Sequence, residues 1–128
     1  MFHIVLVQPE IPPNTGNVIR LCANTGAELH LVKPLGFDLD RRSLRRAGLD
    51  YRWMARVHVH ADFTACEQAL RAARAPLRWC AIETGGTRRY DEVRYREGDA
   101  LLFGSERRGL PPEVLARVGT ESLASIPM

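Results

Sequence analysis

The sequence predicts an α/β protein in which helices cover both faces of a parallel sheet. The first apolar run, Ile4-Val5-Leu6-Val7, is continuous rather than alternating, which is typical of a strand buried on both faces. Further short apolar runs alternate with segments of helical periodicity along the rest of the chain. Because 128 residues suit one hydrophobic core, we expect a single domain over residues 1–128.

The first half of the chain carries signals for the ends of its elements. Asn14 is placed to cap a first helix, and Gly26 is placed to end it. Pro34 and Gly36 then break the chain before a short arginine-rich helix. The elements expected in this half are strand 4–7, helix 14–25, strand 29–32, helix 42–47 and strand 57–59.

The second half continues the alternation. Asp62 is placed to cap a helix with one apolar face, and Pro111 or Pro112 can open the last helix, since proline is tolerated in a first turn. The elements expected here are helix 63–73, strand 77–82, strand 100–103, helix 112–118 and strand 123–126. Ligands in doubly wound sheets bind beyond the carboxyl ends of the strands. The loops after Val7, Ile82, Phe103 and Ile126 are therefore the candidates for a site.

The composition argues against a membrane protein and against a disulfide scaffold. The longest apolar runs are four residues, far short of the roughly 20 that cross a bilayer. The start MFHIVLV has no positively charged leader, so we expect a cytoplasmic protein. The three cysteines Cys22, Cys66 and Cys80 form no CxxC pair, which favours buried reduced thiols.

A local basic patch stands out within the net charge of +3. Residues 41–56 hold six arginines and a single acid, Asp50. Such a patch is either a solvated helix face or a surface for a polyanion, because arginine offers planar bidentate donors to phosphate. The residues alone leave both interpretations open.

The first predicted helix carries polar side chains on one face. Asn17, Arg20 and Asn24 fall at i, i+3 and i+7, so they point the same way. Arg20 is either a solvent-facing arginine on a capped helix or a guanidinium presented to an oxyanion at a strand end.

A second polar segment, Phe103-Gly104-Ser105-Glu106-Arg107-Arg108-Gly109-Leu110-Pro111, follows a buried strand. Its GxxxxG spacing is that of a phosphate loop, but Leu110-Pro111 replaces the Lys and Ser or Thr of a nucleoside triphosphatase. No GxGxxG follows the first strand, which removes the main support for a dinucleotide enzyme. The segment is either a tight functional loop or an ordinary surface turn.

The remaining chemistry-bearing residues show no catalytic or metal-binding spacing. The histidines His3, His30, His58 and His60 have no HxxxH or histidine–carboxylate pattern, so we expect structural roles and no metal. Ser105 lacks a GxSxG setting, which argues against a serine hydrolase.

Taken together, four segments resemble one family along essentially the whole chain. They are VQPEIPPNTGNVIRLCANTGAELHLVKPLGF, RRAGLDY at 45–51, FGSERRGLP and the final IPM. With these segments the chain resembles the bacterial wobble-position tRNA (cytidine/uridine-2'-O-)-methyltransferases of the SPOUT, or α/β-knot, class. The resemblance implies transfer of a methyl group from S-adenosylmethionine to a ribose 2'-hydroxyl of tRNA. It also implies a homodimer.

The resemblance assigns roles to particular residues. It places the cofactor in three loops at a C-terminal trefoil knot, at positions matching Ile82, Gly104 and Ile126. Arg20 matches the arginine that activates the 2'-hydroxyl, either by stabilising the alkoxide or by orienting the hydroxyl. The substrate RNA is expected to contact residues of the first helix, the arginine-rich helix and the glycine loop: Asn14, Arg45, Arg46, Glu106 and Arg107.

The family pattern continues beyond the segment Ile126-Pro127-Met128 with a Ser- and Asn-rich motif and a helix that threads the knot. We therefore expect this sequence to be truncated, with the C-terminal knot helix missing. Two functions stay open at this point, an RNA 2'-O-methyltransferase and a noncatalytic RNA-binding α/β domain. The polar segments 14–20 and 104–111 favour the enzyme.

Overall fold

The structure is a computed structural model. It describes residues 2–10, 12–46, 48–49, 51–73, 78–82, 88–89, 99–105, 108–118 and 123–125. Its strands are β1 His3–Val7, β2 Glu28–Val32, β3 Val57–His60, β4 Trp79–Ile82, β5 Arg88–Arg89, β6 Ala100–Phe103 and β7 Leu123–Ser125. Its helices are α1 Pro12–Thr25, α2 Arg41–Arg46, α3 Phe63–Ala73 and α4 Pro112–Val118, with a 3₁₀ helix at Tyr51–Arg56.

Within the described residues, the seven strands form one sheet in the order β3-β2-β1-β6-β4-β7-β5, and every pair is parallel. The chain first builds β1, β2 and β3 outward in one direction and then crosses to the other side of β1. The strand order therefore reverses between β1 and β6, and such a reversal opens a crevice at the carboxyl ends of the two strands.

Two hydrophobic cores lie on opposite faces of the sheet, as predicted. On one face, β-strand residues pack with α3 and α4 through Cys66, Leu70 and Val114. On the other face, Ile19 and Cys22 of α1 pack with Leu44 of α2 and the neighbouring strand residues. All three cysteines are free and buried, which confirms the expectation from their spacing.

Most predicted elements are confirmed within a residue or two, and the turn signals explain their ends. Gly26 closes α1 with a φ of 81° and donates its N–H to the carbonyl of Cys22 at 2.9 Å. Asp62 caps α3, because its Oδ1 accepts the N–H of Ala65 at 2.8 Å. The prediction for Asn14 as a cap is wrong, since α1 already begins at Pro12 and takes Asn14 into its first turn.

Two short elements of the fold were not predicted from the sequence. The 3₁₀ helix at Tyr51–Arg56 and the two-residue strand β5 carry too few residues for a periodic pattern.

No helix among the described residues is long and apolar enough to cross a membrane.

The four histidines form a row on the face of the sheet that α3 covers. The parallel pairing sets His30 opposite His58, and Val32 opposite His60. The ring of His30 lies within hydrogen-bond distance of His3, at 3.1 Å, and of His60, at 2.9 Å, while His58 pairs with Glu28 at 2.9 Å. The sequence spacing did not indicate these contacts, because they come from strand pairing.

The row has a consequence for acid stability. Burial, reinforced by the neighbouring histidines, lowers the pKa of His30 from 6.5 to about 3, and burial also lowers the pKa of His60. A histidine whose pKa is lower in the folded than in the unfolded state stabilises the fold above the unfolded pKa. That contribution is lost as the pH falls below 6.5.

We predict that the free energy of unfolding decreases as the pH falls from 7 to 5, with His30 contributing up to about 1.4 kcal/mol per pH unit. His30→Gln should flatten this slope, because glutamine keeps a polar side chain but does not titrate. Urea unfolding of both proteins at several pH values measures the difference. The same slope in both proteins would contradict the assignment to His30.

Candidate functional site

The predicted loops begin at neighbouring strand ends. Ile82, the last residue of β4, lies in register with Phe103 of β6 on one side and Ala124 of β7 on the other. Phe103 is in turn in register with Leu6 of β1. Parallel pairing thus brings the carboxyl ends of β1, β6, β4 and β7 to one edge of the sheet, as expected for a ligand site. Ile126 lies outside the described residues, one position after the end of β7.

Gly104 follows β6 in a loop that leaves no room for a side chain. A Cβ atom at Gly104 would lie 2.1 Å from the carbonyl carbon of Gly109 and 2.2 Å from the nitrogen of Leu110. The loop closes on itself, since the N–H of Gly109 donates to the carbonyl of Ser105 at 3.0 Å. The hydroxyl of Ser105 accepts the N–H of Arg108 at 3.0 Å, so these groups serve the turn. Glu106 and Arg107 lie outside the described residues.

An apolar cavity of about 250 Å³ lies between α1 and the sheet at this edge. Gly104 and Phe103 form one part of its wall, and Thr15, Val18 and Leu21 of α1 form another. Leu21 is 60% exposed and extends the apolar wall of this cavity towards the surface. This apolar surface continues from the loop after β6 onto the outer side of α1.

Arg20 points to a different side of α1. Its Nη1 donates to Oδ1 of Asn17 at 3.2 Å, as the shared face predicts, and its guanidinium lies 5.7 Å from the ring centroid of Trp53. Arg20 is exposed and is absent from the wall of the 250 Å³ cavity. Within one chain, the structure brings Arg20 to Asn17 and to the 3₁₀ helix, but not to the cavity beside Gly104. The side chain of Asn14 lies outside the described residues.

The basic patch divides into two parts. Arg42, Arg45 and Arg46 of α2 are exposed. Arg56 is held by the fold instead, because it donates to the carbonyl of Gly26 at 2.9 Å and lies 3.5 Å from Glu28. Among the described side chains of the patch, Arg42, Arg45, Arg46 and Arg52 are exposed.

A second cavity, of about 170 Å³, lies between α1 and the segment that contains α2. Its wall includes Thr15 and Gly16 of α1 together with Phe37, Asp38 and Arg46. The sequence predictions missed Thr15, Phe37 and Asp38. No sequence signal singled out Thr15, because it stands among the polar residues Asn14 and Asn17.

One group of described residues has donor atoms that could hold a metal ion. Atoms of His30, His60 and Cys66 all lie within 4.8 Å of one another. The nearest ring nitrogens of His30 and His60 are already at hydrogen-bond distance, and burial raises the pKa of the Cys66 thiol to about 12. A metal would have to displace that proton, so the arrangement favours a hydrogen-bonded row. The absence of a metal stays a prediction.

Comparison with known proteins gives matches over the whole chain. The model of the SpoU rRNA Methylase family matches residues 1–128. A tRNA (cytidine(34)-2'-O)-methyltransferase of Methylovorus glucosotrophus is 52% identical over 128 residues, which are 100% of this chain and 80% of that protein. The chain spans about four fifths of the length of this relative.

Two solved structures share the fold. One, described as structural insights into the 2-OH methylation of C/U34 on tRNA, is 48% identical with a TM-score of 0.86, covering 100% of this chain and 80% of its own. The other is an AdoMet-bound rRNA methyltransferase from Sinorhizobium meliloti, 27% identical with a TM-score of 0.75. That match covers 99% of this chain and 47% of the other.

The lack of space at Gly104 can be tested by adding a methyl group there. We predict that Gly104→Ala lowers the free energy of unfolding by about 1–3 kcal/mol, because the new methyl group meets backbone atoms that cannot rotate away. Gly16→Ala is the matched control, since its Cβ would lie 3.5 Å from Leu49 and its position is helical. Denaturant unfolding measures both. Equal midpoints for Gly104→Ala and the wild type would show that the loop relaxes freely.

Proposed function

The chain belongs to the SpoU methylase family, and from that premise we propose that it methylates the ribose 2'-hydroxyl of the wobble nucleotide of tRNA. The observation that carries this proposal is the 52% identity over all 128 residues to a tRNA (cytidine(34)-2'-O)-methyltransferase. Relatives at this identity are enzymes, so the alternative of a noncatalytic RNA-binding domain is wrong. The cofactor is S-adenosylmethionine.

The strand ends fit this cofactor. Three neighbouring strands, β6, β4 and β7, have their carboxyl ends side by side, and Gly104 lets the loop after β6 fold tightly against its own backbone at this edge. We assign cofactor contacts to Ile82, Gly104 and Ile126 on this basis and on the family resemblance. When bound, S-adenosylmethionine supplies a methyl group made electrophilic by its sulfonium, so that neither a metal ion nor a covalent nucleophile is needed.

The protein then has to position one hydroxyl and to help it lose its proton. We assign the hydroxyl to Arg20. A guanidinium offers hydrogen-bond donors and no acceptor, so Arg20 orients the hydroxyl or stabilises the developing alkoxide. Asn17 accepts a hydrogen bond from Arg20 at 3.2 Å and Trp53 lies under the guanidinium, and both contacts limit where the arginine can point.

We propose that five residues contact the tRNA: Asn14, Arg45, Arg46, Glu106 and Arg107. We also propose that the protein acts in the cytoplasm, where its substrate tRNA is found. We also propose a homodimer. Two observations support it: the apolar surface at Leu21, and the separation of Arg20 from the cavity beside Gly104 within one chain. A second protomer would cover the apolar surface at Leu21, and it would bring its own Arg20 to the cavity beside Gly104 of the first protomer.

The test is incubation with bulk tRNA and methyl-labelled S-adenosylmethionine, followed by nuclease mapping of the label. We predict 2'-O-methylation at nucleotide 34 by the wild-type protein. Arg20→Ala should lower kcat by about 10²–10³, because one donor to the reacting oxygen is lost. Cofactor binding, measured by calorimetry, should stay near the wild-type value.

The matched control is Arg71→Ala, an exposed arginine on α3 at the opposite face of the sheet, whose partner Glu67 keeps a second contact with Arg117. It should methylate tRNA at the wild-type rate. Wild-type turnover by Arg20→Ala would defeat the assignment of Arg20. Absence of label in tRNA with the wild-type protein would defeat the proposed function.

The arginines of α2 generate a separate prediction about affinity. Replacing Arg42 and Arg45 by alanine should weaken tRNA binding and lower the slope of log K against log salt by about 1–2, because fewer counterions are released. The control Gln68→Glu/Ala72→Glu makes the same change in net charge on exposed positions of α3. Binding titrations at several salt concentrations separate them. Identical slopes for all three proteins would make the patch a solvated helix face.

A further inference from the structure

We propose that Arg117 is a positioning residue for the cofactor: it ties α4 to α3 and thereby keeps the loop after β6 in the form that binds S-adenosylmethionine. We call Arg117 and its three contacts on α3, which are Phe63, Thr64 and Glu67, the α3–α4 clamp. The inference rests on the proposed function, because it concerns the cofactor of that reaction.

The guanidinium of Arg117 makes three different contacts with α3. Its Nη1 donates to Oγ1 of Thr64 at 2.6 Å, and its Nη2 donates to Oε1 of Glu67. Its central carbon lies 5.9 Å from the ring centroid of Phe63, which is within the range of a cation–π contact. Two nitrogens and the plane of the group are engaged at once, a combination that the single ammonium of a lysine does not offer.

The carboxylate of Glu67 is the buried partner in the clamp. Its side chain is 10% exposed, and an ion pair with a buried partner is screened by salt less than a pair in solvent. Glu67 also contacts Arg71, whose Nη2 lies 3.4 Å from Oε2. The contact with Arg71 lies within α3, whereas the contact with Arg117 joins α3 to α4. The two arginines therefore separate the loss of a charge partner from the loss of the connection between the helices.

Helix α4 needs such a connection because it is short. It has 7 residues, and a helix of this length is not stable without tertiary contacts. Val114 is its buried residue, and Leu115 and Val118 are partly buried against the same core. With so few apolar side chains in the core, the position of α4 on the sheet depends strongly on the contacts of Arg117.

The position of α4 in turn affects the loop that contains Gly104. Leu110, near the end of this loop, is 4% exposed and lies in the same core as Phe63 and Val114. Its backbone nitrogen is one of the atoms that leave no room for a Cβ at Gly104. A shift of α4 would move Leu110 and therefore change the loop at Gly104. Because α4 also precedes β7, the same shift would reach Ile126, a second residue assigned to the cofactor.

The first experiment measures the Kd for S-adenosylmethionine by calorimetry. Arg117→Ala should raise this Kd by about three- to thirtyfold, the range expected for a residue that acts on a site through packed contacts. The kcat at saturating cofactor and the Kd for tRNA should stay within about twofold of wild type. Arg71→Ala is the matched control and should keep the wild-type Kd for the cofactor. A folded Arg117→Ala protein with that wild-type Kd would overturn the proposal, even if its thermal stability fell.

The second experiment is a double-mutant cycle on the same Kd. Glu67→Gln should also weaken cofactor binding, and adding Arg117→Ala to it should weaken binding less than the two single effects combined, because both changes break one contact. Fully additive effects would overturn the proposal. If Arg117→Ala does not fold, Arg117→Lys replaces it in both experiments, since lysine keeps the charge but not the three contacts.

These failures leave the proposed function intact, because they concern how the cofactor loop is held. A wild-type protein that neither binds S-adenosylmethionine nor methylates tRNA would overturn the proposed function together with the role of the clamp.

Discussion

The parallel register of β1, β6, β4 and β7 is the constraint on which the site depends. Because Leu6, Phe103, Ile82 and Ala124 occupy one row across these strands, the carboxyl ends of the strands lie side by side. None of these strand ends is near the others in sequence. A shift of one residue in any strand would turn its buried side chains to the opposite face and move its loop away from its neighbours. The burial of both faces by two separate cores keeps this register fixed.

Helix α1 connects the two halves of the proposed chemistry. It starts just after β1, at the edge where the strand order reverses, so its first turns stand over the strand ends. Its different sides then meet different partners. Val18 and Leu21 line the apolar cavity beside Gly104, whereas Gly16 lines the cavity of about 170 Å³ and Arg20 lies over Trp53. Thr15 borders both cavities. A single rigid helix can therefore hold the cofactor edge and the RNA face in fixed relation.

The sequence predicted what depends on local signals. Gly26 and Asp62 gave the ends of two helices, and the continuous run Ile4–Val7 gave a strand of a parallel sheet. Contacts set by strand order were not predictable in this way. The histidine row is the clearest case, because His30 meets His3 and His60 only after β2 has paired with β1 and β3.

The candidate site shows the same division. Arg20 and Gly104 were found through their motifs. The cavity of about 170 Å³ was not, since the segment before α2, with Phe37 and Asp38, comes to Thr15 only through tertiary packing. Asn14 was misassigned because two prolines before it can start a helix earlier than an asparagine cap would.

The central claim is that the cofactor is held at the strand ends of β6, β4 and β7, while RNA approaches the face of α1 that carries Arg20. Amide hydrogen exchange with and without S-adenosylmethionine tests it most directly. The account predicts slower exchange in the segments after Ile82, Phe103 and Ser125, with little change in Trp53 and α2. Protection centred on α2 and the 3₁₀ helix, with none after Phe103, would contradict it.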